Sequence, residues 1–307
     1  MTPVVIDTDP GIDDVLALLL AARSPELSIE AVTVVGGNVG LDACVRNALL
    51  TLERSGMETL PPVAAGCARP LEREPLDAAH VHGDDGLGGV ADEFPAPTTG
   101  ISEKGAVELL LDLIGRRPDE LVLVALGPLT NLATALRREP DTVRRLRRVV
   151  AMGGALRVPG NVTTTAEFNL YADPEAAQEV VAARLPLTLV GLDVTHQTVL
   201  HRDVFTQRAA ASVAPGARFA QRACEHIFDF GEVRRGLAAA YLHDPLAVGV
   251  AADPSVVECE PVRVRVETSE PRGALVEDAD GDPVDVAIGV DADRFEGTFL
   301  DRVLGPA

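Results

Sequence analysis

The sequence predicts an α/β fold over residues 1–307 as a single domain: a doubly wound, mostly parallel sheet flanked by helices, with a small C-terminal β-hairpin extension. Three observations predict it. Short runs such as AVTVVGG, LVLVALG, RVVAMGG and LTLVGL are apolar throughout rather than alternating, as in parallel strands buried on both faces. Longer stretches of helical periodicity separate them. Polar or Gly-rich clusters follow the runs, and in such sheets ligands bind beyond the carboxyl ends of the strands.

In chain order, Val4–Asp7 is the first strand, closed by a Pro10-Gly11 turn that leads into a helix over Asp13–Ala22. Strand Ile29–Val35 is followed by a helix over Leu41–Arg54. A helix over Ser102–Arg116 precedes strand Leu121–Ala125, and one over Leu129–Arg137 precedes strand Val149–Met152. A helix over Pro174–Ala183, capped near Asp173, leads to strand Leu187–Gly191. From Val256 onward the pattern shortens (VRVRVE, GALVED, PVDVAIGV) with Gly-Asp turns, which reads as the hairpin extension, ending in a helix near Asp293–Val303.

Composition narrows the function. With 47% hydrophobic residues the chain can bury a large core, and with 3% aromatics and no Trp that core must be built from Ala, Val and Leu. A net charge of -20 argues against nucleic-acid polymers and anionic membranes as partners, because phosphate binding needs a basic face. A small neutral substrate or a cation fits better. The start, MTPVVID, has neither a basic region nor a long apolar segment, and Val15–Ala22 is too short to span a bilayer, so a cytoplasmic location is expected. Cys44, Cys67, Cys224 and Cys259 are scattered with no CxxC and are expected to be buried free thiols.

The segment VVIDTDPGIDD, residues 4–14, packs Asp7, Asp9, Asp13 and Asp14 together with no Lys or Arg before Arg23. At about 5 Å and an effective dielectric of about 20, each close like-charge pair costs roughly 3 kcal/mol. One helix cap needs one acid, not four, so a neutralising hard cation is implied, and Ca²⁺ tolerates irregular sets of carboxylates and carbonyls. The spacing is not that of an EF-hand. The DxD of aspartyl phosphohydrolases, with Asp7 as nucleophile, also fits Asp7 and Asp9, although the Pro-Gly and the extra Asp13-Asp14 pair match it poorly. His243-Asp244-Pro245, at a helix start, adds a fifth carboxylate and a titratable neighbour. GNVTTTAEFNLYADPEA, residues 160–176, brings Asn161, Glu167 and Asn169; two carboxamides and a carboxylate suit the hydroxyls of a sugar, and ordinary loop polarity would account for them as well. VHGDDGLGG, residues 81–89, has the composition of either a flexible loop or a lid.

Together DTDPGIDD, VGGN, VHGDDGLGG, ALGPLTNLA, MGG, GNVTTTAEFN and HDP, in this order over roughly residues 3 to 250, resemble the calcium-dependent nucleoside N-ribohydrolases of the inosine-uridine type. DxDPGxDD with a distant EFN and HDP is specific; MGG or GPLTN alone would be weak. The resemblance implies hydrolysis of ribonucleosides to ribose and free base with bound Ca²⁺. It implies that Asp9 is both a metal ligand and the base that takes a proton from water, with Asp14, Asp244 and the Leu126 carbonyl as further ligands. Asp13, Asn38, Asn161, Glu167 and Asn169 would hold the ribose hydroxyls, Met152 would pack by the sugar, and Asp7 would brace the cluster. His243 would face the base as a catalytic group, with His82 beside it. A homodimer or homotetramer goes with the family. The absence of Trp argues against a purine-specific branch that stacks the base between tryptophans. Phe228 and Phe230, followed late by Tyr241, stand where relatives place tyrosines, which leaves the base preference open.

Two rival readings remain at this level: a metal-dependent phosphohydrolase using Asp7, and a non-catalytic nucleoside- or ribose-binding protein. Lys104 is the one lysine in the chain and lies far from these motifs, which counts against phosphate handling. Binding alone requires neither Asp9 nor His243.

Overall fold

A computed structural model describes residues 1–306 of the chain. Its strands are β1 (Thr2–Thr8), β2 (Leu27–Val34), β3 (Val63–Ala65), β4 (Val122–Ala125), β5 (Arg148–Met152), β6 (Leu187–Val190), β7 (Val199–His201), β8 (Ala239–Tyr241), β9 (Val257–Val266), β10 (Leu275–Glu277) and β11 (Asp282–Val290). Among the described residues, nine of them form one sheet in the order β10-β9-β11-β6-β5-β4-β1-β2-β3, and β7 and β8 form a separate antiparallel pair. From β3 across to β6 and on to β11 every pairing is parallel, while β9 runs antiparallel to both β11 and β10.

The apolar runs divide by alternation between two cores, because successive strand side chains point to opposite faces. Val4, Ile6, Val32, Val34, Val122 and Val124 pack against the helices Ile12–Ala22, Leu41–Arg54, Ala217–Arg235, His243–Ala252 and Ala292–Leu304. Val5, Ala31, Leu121, Leu123, Val149 and Leu187 pack against Ala106–Arg116, Thr130–Arg138 and Pro174–Ala182. A strand flanked by helices on both sides has no polar face, which is why the runs read as continuous. The helix Ile12–Ala22 is buried almost all round, so its first turn, bearing Asp13 and Asp14, is held rigidly.

The α/β class and the mostly parallel sheet agree with the sequence-based expectation, and the helix Leu41–Arg54 falls where it was expected. The C-terminal antiparallel strands are present but do not stand apart: β11 pairs with β6 through Asp285 with Thr188 and Val286 with Leu189, so they extend the main sheet at one edge. The helix expected from Ser102 begins at Ala106, because the Ser102 hydroxyl accepts the Lys104 N–H in a local turn and Gly105 caps the helix. The expectation of buried thiols holds for Cys44 and Cys224 and fails for Cys259, which is exposed on β9, and for Cys67, which is half-buried; all four are free.

Asp173 ties the layers together. Fully buried, it caps Pro174–Ala182 through the Ala176 N–H and accepts from the Leu71 N–H and the Thr130 hydroxyl. Asp173→Ala would strand three donors, two of them buried, so a loss of about 3 kcal/mol in stability is expected, measured as a lower urea midpoint with unchanged slope.

Candidate active site

The chain direction of the parallel sheet sends β1's neighbours to opposite sides, β2 on one and β4 on the other. This is the point where the strand order reverses, and the crevice beyond the strand ends there is the expected ligand position. The Leu126 N–H donates to the Asp7 carbonyl at 2.7 Å, holding the two exits side by side. Beyond them lies a cavity of about 190 Å³ whose lining includes Asp13, Asn38, Leu126, Met152, Glu167 and Asn169 together with His82, His196, Phe230, Tyr241 and His243.

Asp9 sits between two glycines that a larger residue would crowd out: a Cβ at Gly37 would fall 2.1 Å from Asp9 Oδ2, and one at Gly127 2.5 Å from Oδ1. Asp9 Oδ2 accepts the Asn38 N–H at 2.7 Å, while Oδ1 is buried with no partner. Asp14 accepts from the Gly11 N–H at 2.9 Å, from Asn38 Nδ2 at 3.1 Å and from the Thr8 hydroxyl. Asp13 Oδ1 is likewise buried and unpartnered, 3.9 Å from His82 Nδ1. Carboxylate oxygens of Asp13, Asp14 and Asp244 lie within 4.8 Å of one another.

The electrostatics follow from that crowding. Burial, then the charge of Asp14, holds Asp9 well above the usual carboxylate range. Burial, then the charges of Asp13, Asp14 and Asp9, does the same to Asp244. Burial pushes Asp13 up to about 6 and, with help from the charge of Asp13, raises Asp14. Among the described residues none of the four has a Lys or Arg partner. An all-oxygen donor set, two orphaned carboxylate oxygens and no compensating cation fit a hard divalent ion.

Asp7 is placed differently from the other acids of its motif. It accepts from the Thr33 hydroxyl at 2.6 Å and Asn131 Nδ2 at 2.8 Å, its Oδ2 is buried without a partner, and, like Asp9 and Asp14, it does not line the cavity. Burial takes it to about 6, with those two hydrogen bonds opposing the rise. Lys104, the one lysine, is engaged with Asp112 and not free to meet a phosphate at Asp7.

The remaining expected residues are brought to the same cavity. Glu167 caps the short helix Phe168–Ala172 and accepts from the Asn169, Leu170 and Gly154 N–H groups. Asn169 Nδ2 donates to the Leu126 carbonyl at 2.6 Å and to the Met152 carbonyl at 3.1 Å. Asn161 Oδ1 accepts the Phe168 N–H, leaving that exposed side chain at the cavity rim. His82 Nδ1 accepts the Ile12 N–H at 3.1 Å, which puts its ring proton on Nε2; burial lowers its pKa to about 4. The loop after it turns through Gly83, Gly86, Gly88 and Gly89, all at φ between +70 and +84, and Asp85 binds the N–H groups of Leu87, Gly89 and Ala91. His243 Nδ1 is 2.8 Å from the Thr195 hydroxyl, and burial, then the charges of His196 and Arg235, lowers its pKa to about 3.

Several cavity residues were not singled out from sequence. His196 stacks on Tyr241 with ring centroids 4.6 Å apart, and the Arg235 guanidinium lies 4.6 Å from the same ring. His196 closes the helical turn that follows β6, so the strand-end rule that located the other clusters would have found it. Of the two phenylalanines, Phe230 reaches the cavity and Phe228 is buried in the core, because helix Ala217–Arg235 presents them on different faces.

A family model described as inosine-uridine preferring nucleoside hydrolase matches residues 4–297. The chain is 39% identical over 309 residues to an inosine-uridine preferring nucleoside hydrolase of Crithidia fasciculata, covering 98% of this chain and 96% of the relative. Its fold is similar to a plant nucleoside hydrolase, with a TM-score of 0.93 at 32% identity and 99% of each chain covered. It is also similar to a purine-preferring ribonucleoside hydrolase from Gardnerella vaginalis, with a TM-score of 0.92 at 32% identity, covering 99% of this chain and 98% of that one.

Proposed function

The chain belongs to the inosine-uridine preferring nucleoside hydrolase family, and we propose that it hydrolyses ribonucleosides of the uridine, cytidine and inosine kind to ribose and free base as one calcium-dependent domain. The observation that carries this reading is the cluster of acids at one small cavity, which Asp13, Glu167 and Asp244 line, with Asp9 Oδ1 and Asp13 Oδ1 left without partners. Asp9, Asp14, Asp244 and the Leu126 carbonyl would hold Ca²⁺, whose Lewis acidity lowers the pKa of water in the site. The Leu126 oxygen already accepts from Asn169 and has a second lone pair to offer.

The ribose end presents acceptors. Asn38 Nδ2 is committed to the Asp9 carbonyl and Asp14, and Asn169 Nδ2 to Leu126 and Met152. Their Oδ1 atoms, with Asp13 and Glu167, are therefore left to receive hydroxyl donors, while Asn161 contributes its Nδ2. Met152 covers the sugar from the side. Cleavage of the C1′–N bond develops positive charge on the ribose ring, which the surrounding carboxylates stabilise. The bonding pair leaves with the base nitrogen, the water oxygen joins C1′, and Asp9 Oδ1 takes the water's proton. Protonation of the base completes the balance of ribonucleoside plus water to ribose plus base. His243 and His82 face the departing base. A cytoplasmic homodimer or homotetramer is the assembly that goes with this reading; among the described residues no helix is long and apolar enough to cross a membrane.

The test is to incubate the purified protein with uridine, cytidine, inosine and a phosphomonoester, with and without chelator, following free base and phosphate. Chelator-sensitive release of base is expected. Phosphate release, or nucleoside binding without turnover, would sink the proposal.

A further inference from the structure

Thr195 ends the short turn of helix Leu192–Thr195 that follows β6, and it is fully buried. Its backbone is engaged within that turn: the N–H donates to the Gly191 carbonyl and its own carbonyl accepts from Thr198. A helical threonine hydroxyl ordinarily bonds back to the carbonyl four residues earlier. Here it is turned away, toward His243 Nδ1 at 2.8 Å, and among the described residues it has no other partner.

A buried hydroxyl proton needs an acceptor. With Nδ1 the one acceptor within hydrogen-bond distance, Thr195 donates to it, and the imidazole proton resides on Nε2. His243 Nε2 has no protein partner among the described residues, and the ring forms part of the cavity wall. The rings of His196 and Tyr241 flank it at 5.7 and 5.6 Å between centroids without hydrogen-bonding to it, so neither fixes which nitrogen carries the proton.

We propose that Thr195 is a positioning residue for base departure, locking His243 in the tautomer that presents Nε2–H to the leaving base. The inference rests on His243 facing the base. As the C1′–N bond breaks, its electron pair passes to the base nitrogen and spreads onto the ring carbonyls. Nε2–H donates a hydrogen bond to that growing negative charge. The opposite tautomer would aim a lone pair at it. No proton need leave His243 for this to work; the base is protonated from water before release.

Steady-state constants of the calcium-loaded enzyme test this with two substrates: uridine, and p-nitrophenyl β-D-riboside, whose phenolate leaves without assistance. Thr195→Val is expected to lower kcat on uridine by about 10- to 100-fold, the scale of a displaced catalytic group, with KM little changed and a much smaller loss on the aryl riboside. Thr195→Ser should restore uridine turnover, and Thr195→Val should add nothing on a His243→Ala background. Equal losses on both substrates, no loss on uridine, or a full additional loss in the double variant would overturn the proposal. His243→Ala at the normal uridine rate would instead remove the reading of His243 itself, and the role of Thr195 with it. Independently of any variant's folding, ¹⁵N shifts of the His243 ring in the wild-type enzyme should show Nε2 protonated and Nδ1 bare; the reverse pattern refutes the lock.

Discussion

Asp9→Ala is expected to lower kcat on uridine by more than about 10²-fold, the scale of a missing general base, without weakening the fold. The two oxygens of Asp9 are in different situations. Oδ2 is anchored by the Asn38 N–H, whereas Oδ1 is buried and free to take a proton. Gly37 and Gly127 close on both, so no other side chain can move in to substitute for the carboxylate. Because Asp9 adds charge to a crowded acidic cluster, its removal relieves repulsion in the metal-free protein, and the thermal midpoint measured with chelator should hold or rise. Asp9→Asn separates the effects: it keeps the volume and an oxygen for the Asn38 N–H but has no negative charge, and it should lose nearly as much rate as alanine. A near-normal rate in either variant would refute the assignment.

Much of this site was legible because its information is local. Four acids around a Pro-Gly turn create a repulsion problem that the residues themselves state, and apolar runs ending in GGN, GPLTN and MGG place those clusters at the carboxyl ends of the strands of a parallel sheet. What was not legible depends on side-chain direction after strands have paired. Asp7 and Asp9 look equivalent in DTD, yet Asp7 is drawn back to Thr33 of β2 and to Asn131, while Asp9 clears the strand end. β1 pairs with β2 through a register shift between Val4 and Val5, which no periodicity announces. Glu167 reads as a sugar ligand and is also the cap of Phe168–Ala172, a helix too short to show a period. β3, at three residues, lies below the length at which a strand pattern can be recognised. Thr195 carries no composition signal at all; its partner His243 is brought to it by the packing of the turn after β6 against the helix that begins at His243.

Chelation is expected to abolish nucleoside hydrolysis and, in the same sample, to make the protein more stable as pH falls from about 8 to about 6.5. The acids decide the sign. Asp9 and Asp244 are held well above 3.8, and Asp7 and Asp13 at about 6, all chiefly by burial. A carboxylate whose folded-state pKa is raised binds its proton more tightly when folded. Its contribution is complete below the unfolded value and is lost as pH rises through the folded one. The metal-free fold therefore binds protons that the unfolded chain does not, and acidification stabilises it by about 1.4 kcal/mol per pH unit for each excess proton bound. The histidines set the lower limit of the window. His82 at about 4 and His243 at about 3 are depressed from 6.5, so below that value the unfolded chain gains protons that the fold refuses, and stability turns downward. With Ca²⁺ bound the cluster stays ionised and the gain between about pH 8 and 6.5 should vanish. Urea midpoints at both pH values, with chelator and with calcium, measure it. A rise in the midpoint confined to the chelated protein is expected, and parallel pH dependence in the two samples would show that the cluster does not hold the ion.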